Sequence, residues 1–107
     1  MVVFGVQKMQ ELYHPNIDQL NLSTILSALS DPIRLQIIKN LAQRDETTCS
    51  CCNINLPKSV LSHHFKVLRD SGLINVRICG KQRFLSIRYG ELDERFPGLL
   101  DAILKNI

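Results

Sequence analysis

The sequence contains no stretch of apolar residues long enough to cross a membrane, which takes roughly 20 of them. Its apolar start, from Met1 to Val6, is interrupted by Gln7 and Lys8 before it reaches the length of a signal-peptide core. We therefore expect a cytoplasmic protein that has no membrane partner and whose cysteines are kept reduced. The sequence also has no internal repeat and no low-complexity segment.

Motifs that mark enzymes are missing as well. There are no paired carboxylates in a catalytic arrangement, no nucleophile elbow and no glycine-rich phosphate loop. The adjacent His63 and His64, with the cysteines, are the residues that a small thiol enzyme or a metal-handling protein would use. Because no supporting motif surrounds them, we predict that the chain is not an enzyme.

The size and composition of the chain favour one small folded domain. It has 107 residues, of which 45% are hydrophobic, enough for a packed core. A domain of this size is only marginally stable alone, so dimerisation would stabilise it. The net charge of +3 permits nucleic-acid binding, although the position of the cations matters more than their number.

The first third of the chain has the spacing of helices. Apolar residues at helical spacing predict one helix over 2–13 and a second one after Asn21, a candidate N-cap. The apolar stripe of the second helix consists of Leu22, Ile25, Leu26 and Leu29. Asp31 followed by Pro32 predicts the start of a third helix that runs to about Gln43. Arg34 would face solvent there, opposite the inward residues Ile33, Ile37, Ile38 and Leu41.

A long helix is predicted in the middle of the chain. Residues 44–48 are polar and predict a loop, and the segment from Cys49 to Asn55 is interpreted as a short helix. Leu56-Pro57 begins the long helix, which runs to about Ser71 and is capped by Gly72. Its buried stripe would be Leu61, Phe65 and Leu68, flanked by Val60, His64 and Val67.

The residues after Gly72 alternate between apolar and polar, as in strands with one solvated face. The alternating apolar residues are Ile74, Val76 and Ile78 in one strand and Leu85, Ile87 and Tyr89 in the returning one. The turn from Cys79 to Gln82 joins them into a hairpin with a basic tip. A two-stranded hairpin is marginal alone, so it must pack on the helices. We therefore predict a mainly α (α+β) fold with a two-stranded wing.

A last apolar stripe follows Pro97-Gly98 and consists of Leu100, Ile103, Leu104 and Ile107. Two interpretations are open: the stripe covers the core of its own monomer, or it pairs with a symmetry mate. We favour the second one because isologous dimers are the commonest oligomers. Residues 2–13 and 97–107 are then dimerisation elements.

The outward side of the helix over 58–71 is suited to a DNA groove. Its hydroxyls and one imidazole are small enough to approach base edges in the major groove. Its long cations suit phosphates, and those of the hairpin tip could straddle the backbone or enter the minor groove. The predicted DNA-binding residues are Lys58, Ser59, Ser62, His63, Lys66, Arg69, Lys81 and Arg83. Such a helix face is often only solvated surface, and a module that binds RNA or protein is a further alternative, but the basic hairpin favours duplex DNA.

The run from Leu61 to Ile74, LSHHFKVLRDSGLI, resembles the signature of the ArsR/SmtB family, and LSDPIR from Leu29 to Arg34 resembles the start of that family's conserved region. The resemblance covers about residues 22–90. It implies one winged helix-turn-helix domain, 1–107, with a DNA-binding core over 22–90, in a homodimer that represses an imperfect palindromic operator and is often released by a ligand. The family's contacts fall on Ser59, Ser62 and His63 in the helix and on Lys81 and Arg83 in the wing, whereas His64 is expected to point inward.

Three cysteines, Cys49, Cys51 and Cys52, lie about where arsenite- and cadmium-sensing members of that family carry a Cys-x-Cys. The match is imperfect, because Thr47-Thr48 stands in place of an acidic and a hydrophobic residue. Three interpretations stay open: cysteines without a sensing role in a constitutive regulator, a thiophilic metal or metalloid site, and sensing of thiol oxidation or persulfide. Cys79 would be a resolving partner only if folding brings it close. The family's zinc site on the terminal helix is not expected, because residues 91–107 contain no histidine.

Overall fold

Five helices and a three-stranded sheet make up the described part of the protein, residues 12–48 and 54–107 of a computed structural model. A 3₁₀ turn at Ile17–Gln19 comes first. The elements that follow are α1 (Leu22–Ala28), α2 (Pro32–Leu41), β1 (Thr47–Thr48), α3 (Lys58–Ser71), β2 (Ile74–Cys79), β3 (Gln82–Ile87), α4 (Tyr89–Arg95) and α5 (Leu99–Leu104). None of the helices in these two ranges is long and apolar enough to cross a membrane. Most of the predicted helix over 2–13 lies outside the described residues. Its last two residues, 12 and 13, are described and are not helical.

The first two helices begin where their capping side chains predicted. The Asn21 side chain accepts a hydrogen bond from the Thr24 N–H at 3.2 Å. The Asp31 carboxylate accepts from the N–H groups of Ile33 and Arg34 at 2.7 and 3.2 Å, and Pro32 occupies the first turn. Each cap satisfies helix N–H groups that have no partner within the helix, so these two boundaries are set locally.

The apolar stripe of α1 is only half buried, which corrects the prediction. Ile25 and Leu29 lie in the core, whereas Leu22 and Leu26 are 44% and 47% exposed. A helix on the surface of a small domain meets the core along one side only. Two of the four apolar residues therefore face away from the monomer.

The sheet has three strands in the order β1-β3-β2, all antiparallel, rather than two. Thr47 pairs with Leu85 and Thr48 with Phe84, so the prediction of a loop over the whole of 44–48 is wrong. The short strand gives partners to backbone groups on the outer edge of β3. Tyr89 is also misplaced by the prediction, because it begins α4 instead of continuing the returning strand.

The core lies between the sheet and the helices. Ile25, Ile37, Ile38, Leu68 and Leu85 come from α1, α2, α3 and β3 and are completely buried in it. The inner side of α3 contacts α1, α2 and β2. Helix α3 is thus held from three directions, with its other side left open.

Gly72 ends α3 with a left-handed backbone, φ 89°. Its N–H donates to the Arg69 carbonyl at 3.0 Å, and the Leu73 N–H donates to the Leu68 carbonyl at 3.1 Å. A Cβ at position 72 would collide with Leu20 Cδ2 and lie 3.3 Å from Pro15 Cγ. Glycine is needed here both for the φ angle and for the lack of space, as the predicted C-cap required.

The C-terminal stripe packs largely on its own monomer. Leu100 is 8% exposed, and Ile103 and Leu104 are half-buried against the same core. The assignment of Leu100 to a dimer interface is therefore wrong. The turn at Pro97-Gly98 folds α5 back against α4, and this places Leu100 over the core. Ile107 is half-buried.

Candidate nucleic-acid interface

Helix α3 presents a polar side to solvent and an apolar side to the core. Phe65 and Leu68 are buried, whereas five of the six residues predicted to face outward are exposed. The exposed set consists of Lys58, Ser59, Ser62, His63 and Lys66. Ser59, Ser62 and His63 are spaced i, i+3, i+4, so they share one side of the helix. This side can offer hydrogen-bond donors and acceptors to base edges.

A partly buried contact between Arg34 and His64 joins α3 to α2. The Arg34 Nε donates to the Ala28 carbonyl at 2.6 Å, and Nη1 lies 3.2 Å from His64 Nδ1. A guanidinium can only donate, so His64 Nδ1 is the acceptor in this contact. His64 is 9% exposed, which confirms its predicted inward direction. The contact ties α3 to α2 and to the end of α1.

The prediction that Arg34 faces solvent is wrong, and its anchoring role was missed. The carbonyls at the end of α1 lack partners within that helix, and a long donor in the first turn of α2 can reach one of them. Ala28 and Arg34 are six positions apart in sequence. The sequence therefore did contain a signal for this contact, because α1 ends only a few residues before α2 begins.

Lys66 and Arg69 differ in what they can offer to a phosphate. The Lys66 side chain is 62% exposed and its Nζ lies 2.7 Å from Asp70 Oδ2. Exposed ion pairs of this kind are weak, so Lys66 can exchange Asp70 for a phosphate. The Arg69 side chain is only 12% exposed, and its buried Nε has no hydrogen-bond partner among residues 12–48 and 54–107. Arg69 is one turn from the buried Phe65 and lies at the edge of the inward side, so its outward placement is wrong.

The hairpin of β2 and β3 carries the predicted basic tip. Cys79 pairs with Gln82 at its end, and Gly80 and Lys81 form the turn. Lys81 and Arg83 are both exposed. Cys79 is exposed and forms no disulfide within the described part of the chain.

An arginine of the wing that sequence reasoning missed braces the sheet. The Arg77 Nη2 and Nε donate to the two carboxylate oxygens of Glu46 at 2.9 and 3.2 Å, and the guanidinium lies 4.6 Å from the centre of the Phe84 ring. The hydrogen bonds from Arg77 lower the pKa of Glu46. The contact joins β2 across β3 to the residue before β1. Since 31 positions separate the partners, their spacing does not reveal it.

His14 connects the N-terminal segment to the edge of the wing. Its Nδ1 lies 2.9 Å from the Leu12 carbonyl, and its Nε2 accepts the N–H of Val76 at 3.0 Å. Burial lowers the pKa of His14, and the charges of Arg69 and Arg88 lower it further. The neutral ring is the form that accepts from Val76, so the geometry and the pKa direction agree.

Three of the four cysteines lie outside the residues that the structure describes. Cys49, Cys51 and Cys52 and most of the predicted helix over 49–55 lie in the undescribed range 49–53. Within residues 12–48 and 54–107, no group of three or more His, Cys, Asp or Glu side chains is placed to hold a metal ion. The prediction of a thiophilic metal site therefore stays a prediction.

Known proteins resemble this chain both in sequence and in fold. The model of the bacterial regulatory protein, arsR family, matches residues 31–76, from the N-cap of α2 into β2. The uncharacterized HTH-type transcriptional regulator YceK of Bacillus subtilis (strain 168) is 34% identical over 89 residues, which are 80% of this chain and 88% of that protein. The chain belongs to the ArsR family. The arsenical resistance operon repressor of Staphylococcus xylosus is 36% identical to this ArsR-family chain over 73 residues, 67% of the chain and 70% of the repressor.

Solved structures confirm the winged helix-turn-helix fold. The transcriptional repressor BigR from Xylella fastidiosa matches with a TM-score of 0.63 at 25% identity, over 80% of this chain and 85% of BigR. Reduced HlyU from Vibrio cholerae N16961 matches with a TM-score of 0.65 at 24% identity, over 79% of this chain and 86% of HlyU. The ArsR-family protein is thus a DNA-binding transcriptional regulator and not an enzyme, as the resemblance implied.

Proposed function

We propose that this ArsR-family protein represses transcription by binding an imperfect palindromic operator as a homodimer. The observation that carries the proposal is the exposed row of Ser59, Ser62 and His63 on a helix whose opposite side is buried. In the major groove these side chains can read base edges. The Staphylococcus xylosus relative is an arsenical resistance operon repressor, which supports the same direction of regulation.

The cations around this row would contact phosphates. Lys58 and Lys66 flank it on α3, and Lys81 and Arg83 extend the positive surface at the wing. These contacts position the protein on the duplex without reading its sequence. Arg69 is left out of the proposed interface because its side chain is largely buried.

The homodimer is proposed to form through the apolar side of α1 that the monomer leaves uncovered. Leu22 and Leu26 are one turn apart and 44% and 47% exposed. Two-fold pairing would place two recognition helices about one DNA turn apart, ~34 Å, which suits a palindrome. Leu26→Glu is expected to shift the protein to monomers in sedimentation equilibrium. Thr24→Glu adds the same charge on another side of α1 and is expected to stay dimeric; equal dissociation by both variants would contradict this interface.

Binding to duplexes enriched from a random pool, measured by fluorescence anisotropy over a range of salt, tests the assignment of roles. Lys66→Gln is expected to weaken binding to all sequences alike. Because the homodimer loses one phosphate contact in each protomer, the salt slope should fall by about two. Ser62→Ala or His63→Ala is expected to relax base preference instead. The control is Lys105→Gln, because Lys105 is 72% exposed and has the same kind of ion pair, 3.0 Å from Asp101. A loss with Lys105→Gln equal to that with Lys66→Gln, or no preference for duplex DNA over RNA in competition, would refute the proposal.

A second part of the proposal is that a thiol-directed ligand releases the operator. It is supported by the closely spaced Cys49, Cys51 and Cys52 and by the arsenical resistance named for a relative. Titrating arsenite, cadmium or an oxidant into the complex with the operator separates a metalloid site from thiol oxidation. If none of them changes the affinity, the cysteines have no sensing role and the repressor acts constitutively.

A further inference from the structure

Val60 is an apolar residue on the solvent side of the recognition helix. It is 38% exposed, and among the 14 residues of α3, all of them described, it is the one exposed hydrophobic side chain. The sequence pattern had placed it beside the buried stripe, where Val67 is indeed half-buried. Val60 is instead left open to whatever approaches the first turn of the helix.

Burial within the monomer accounts for only part of the Val60 side chain. Its exposed part, 38%, adds nothing to burial in the core. A β-branched residue also has lower helix propensity than alanine, because its χ1 rotation is restricted in a helix. The same restriction gives Val60 a rigid surface, since its two methyl groups point in nearly fixed directions. Such a side chain can make an apolar contact without losing much rotamer entropy.

The neighbours of Val60 are the residues proposed to approach base edges. Ser59 precedes it, and the exposed His63 is three positions further, within contact distance on the helix surface. In the major groove, thymine is the base that presents an apolar group, its 5-methyl. We propose that Val60 contacts the 5-methyl group of a thymine in each half-site and so specifies that base. This inference rests on the proposed function, because it requires α3 to lie in the major groove.

The test removes the methyl groups from the DNA one at a time. The starting duplex is one enriched by the wild-type protein. One thymine at a time is replaced by deoxyuridine, at the matching position of both half-sites. The Kd of each duplex is measured by fluorescence anisotropy. Replacing the thymine that Val60 contacts is expected to weaken wild-type binding by about fourfold per half-site. This loss corresponds to one methyl group that is no longer buried. Val60→Ala is expected to bind the thymine and deoxyuridine duplexes alike, and its far-UV circular dichroism should match that of the wild type.

Val67→Ala is the matched control, because it deletes the same atoms two turns along the same helix. It is expected to keep the wild-type response to deoxyuridine. The inference is overturned if no thymine responds in the wild type, if Val60→Ala keeps the response, or if Val67→Ala loses it too. If the wild-type protein enriches no duplex at all, the proposed function fails, and this inference fails with it.

Discussion

Replacing Gly72 by alanine is expected to destabilise the protein by about 2–5 kcal/mol. Two effects combine at this position. The left-handed backbone, φ 89°, costs an L-residue about 1–2 kcal/mol. The added methyl group would also collide with Leu20 Cδ2, and overpacking of a core costs about 1–3 kcal/mol. For a domain near 100 residues, each kcal/mol lowers Tm by about 4–8 °C.

Gly98→Ala separates the two effects. Gly98 has a similar φ of 80°, but no atom lies within 4 Å of the position of its missing Cβ. Its substitution should therefore cost only the backbone strain, about 1–2 kcal/mol. Urea unfolding followed by circular dichroism, at one protein concentration for all variants, gives both values. If Gly72→Ala costs no more than Gly98→Ala, or if adding Leu20→Ala to Gly72→Ala relieves none of the excess, the close packing around Gly72 is refuted.

Arg34→Lys is expected to lower the free energy of unfolding by about 1–3 kcal/mol, because lysine cannot hold the Ala28 carbonyl and His64 together. DNA affinity should fall with an unchanged salt slope in anisotropy titrations; a slope reduced by about two, one phosphate for each protomer, would mean that Arg34 contacts a phosphate. The free energy of unfolding should also decrease as the pH falls below 6.5, the ordinary pKa of histidine, toward the lower pKa of folded His14. The unfolded chain binds the proton first, so the wild type is most stable above that window. His14→Gln should flatten this part of the profile in urea unfolding at a series of pH values, and an unchanged profile would contradict the assignment.

Local signals were enough to place most helix boundaries and the polar side of α3. Asn21 and Asp31 cap helices through hydrogen bonds to N–H groups two or three residues away. The partners in such contacts are close neighbours in sequence, so the sequence alone shows where the helix begins. The polar side of α3 follows from helical periodicity, because one apolar stripe implies one solvated side.

Contacts between distant segments could not be read in this way. Periodicity shows that a stripe is apolar, but not which element covers it: Leu100 packs on its own monomer, whereas Leu26 is left uncovered. Strand β1 exists because the edge of β3 offers it partners. The directions of Arg34 and Arg69 likewise depend on which carbonyl or apolar surface the folded chain brings near. Short-range hydrogen bonding and periodicity thus determined the starts of α1 and α2 and the polar side of α3 from sequence. Long-range packing determined β1 and which side chains remain free to meet a partner, since only folding brings distant residues together.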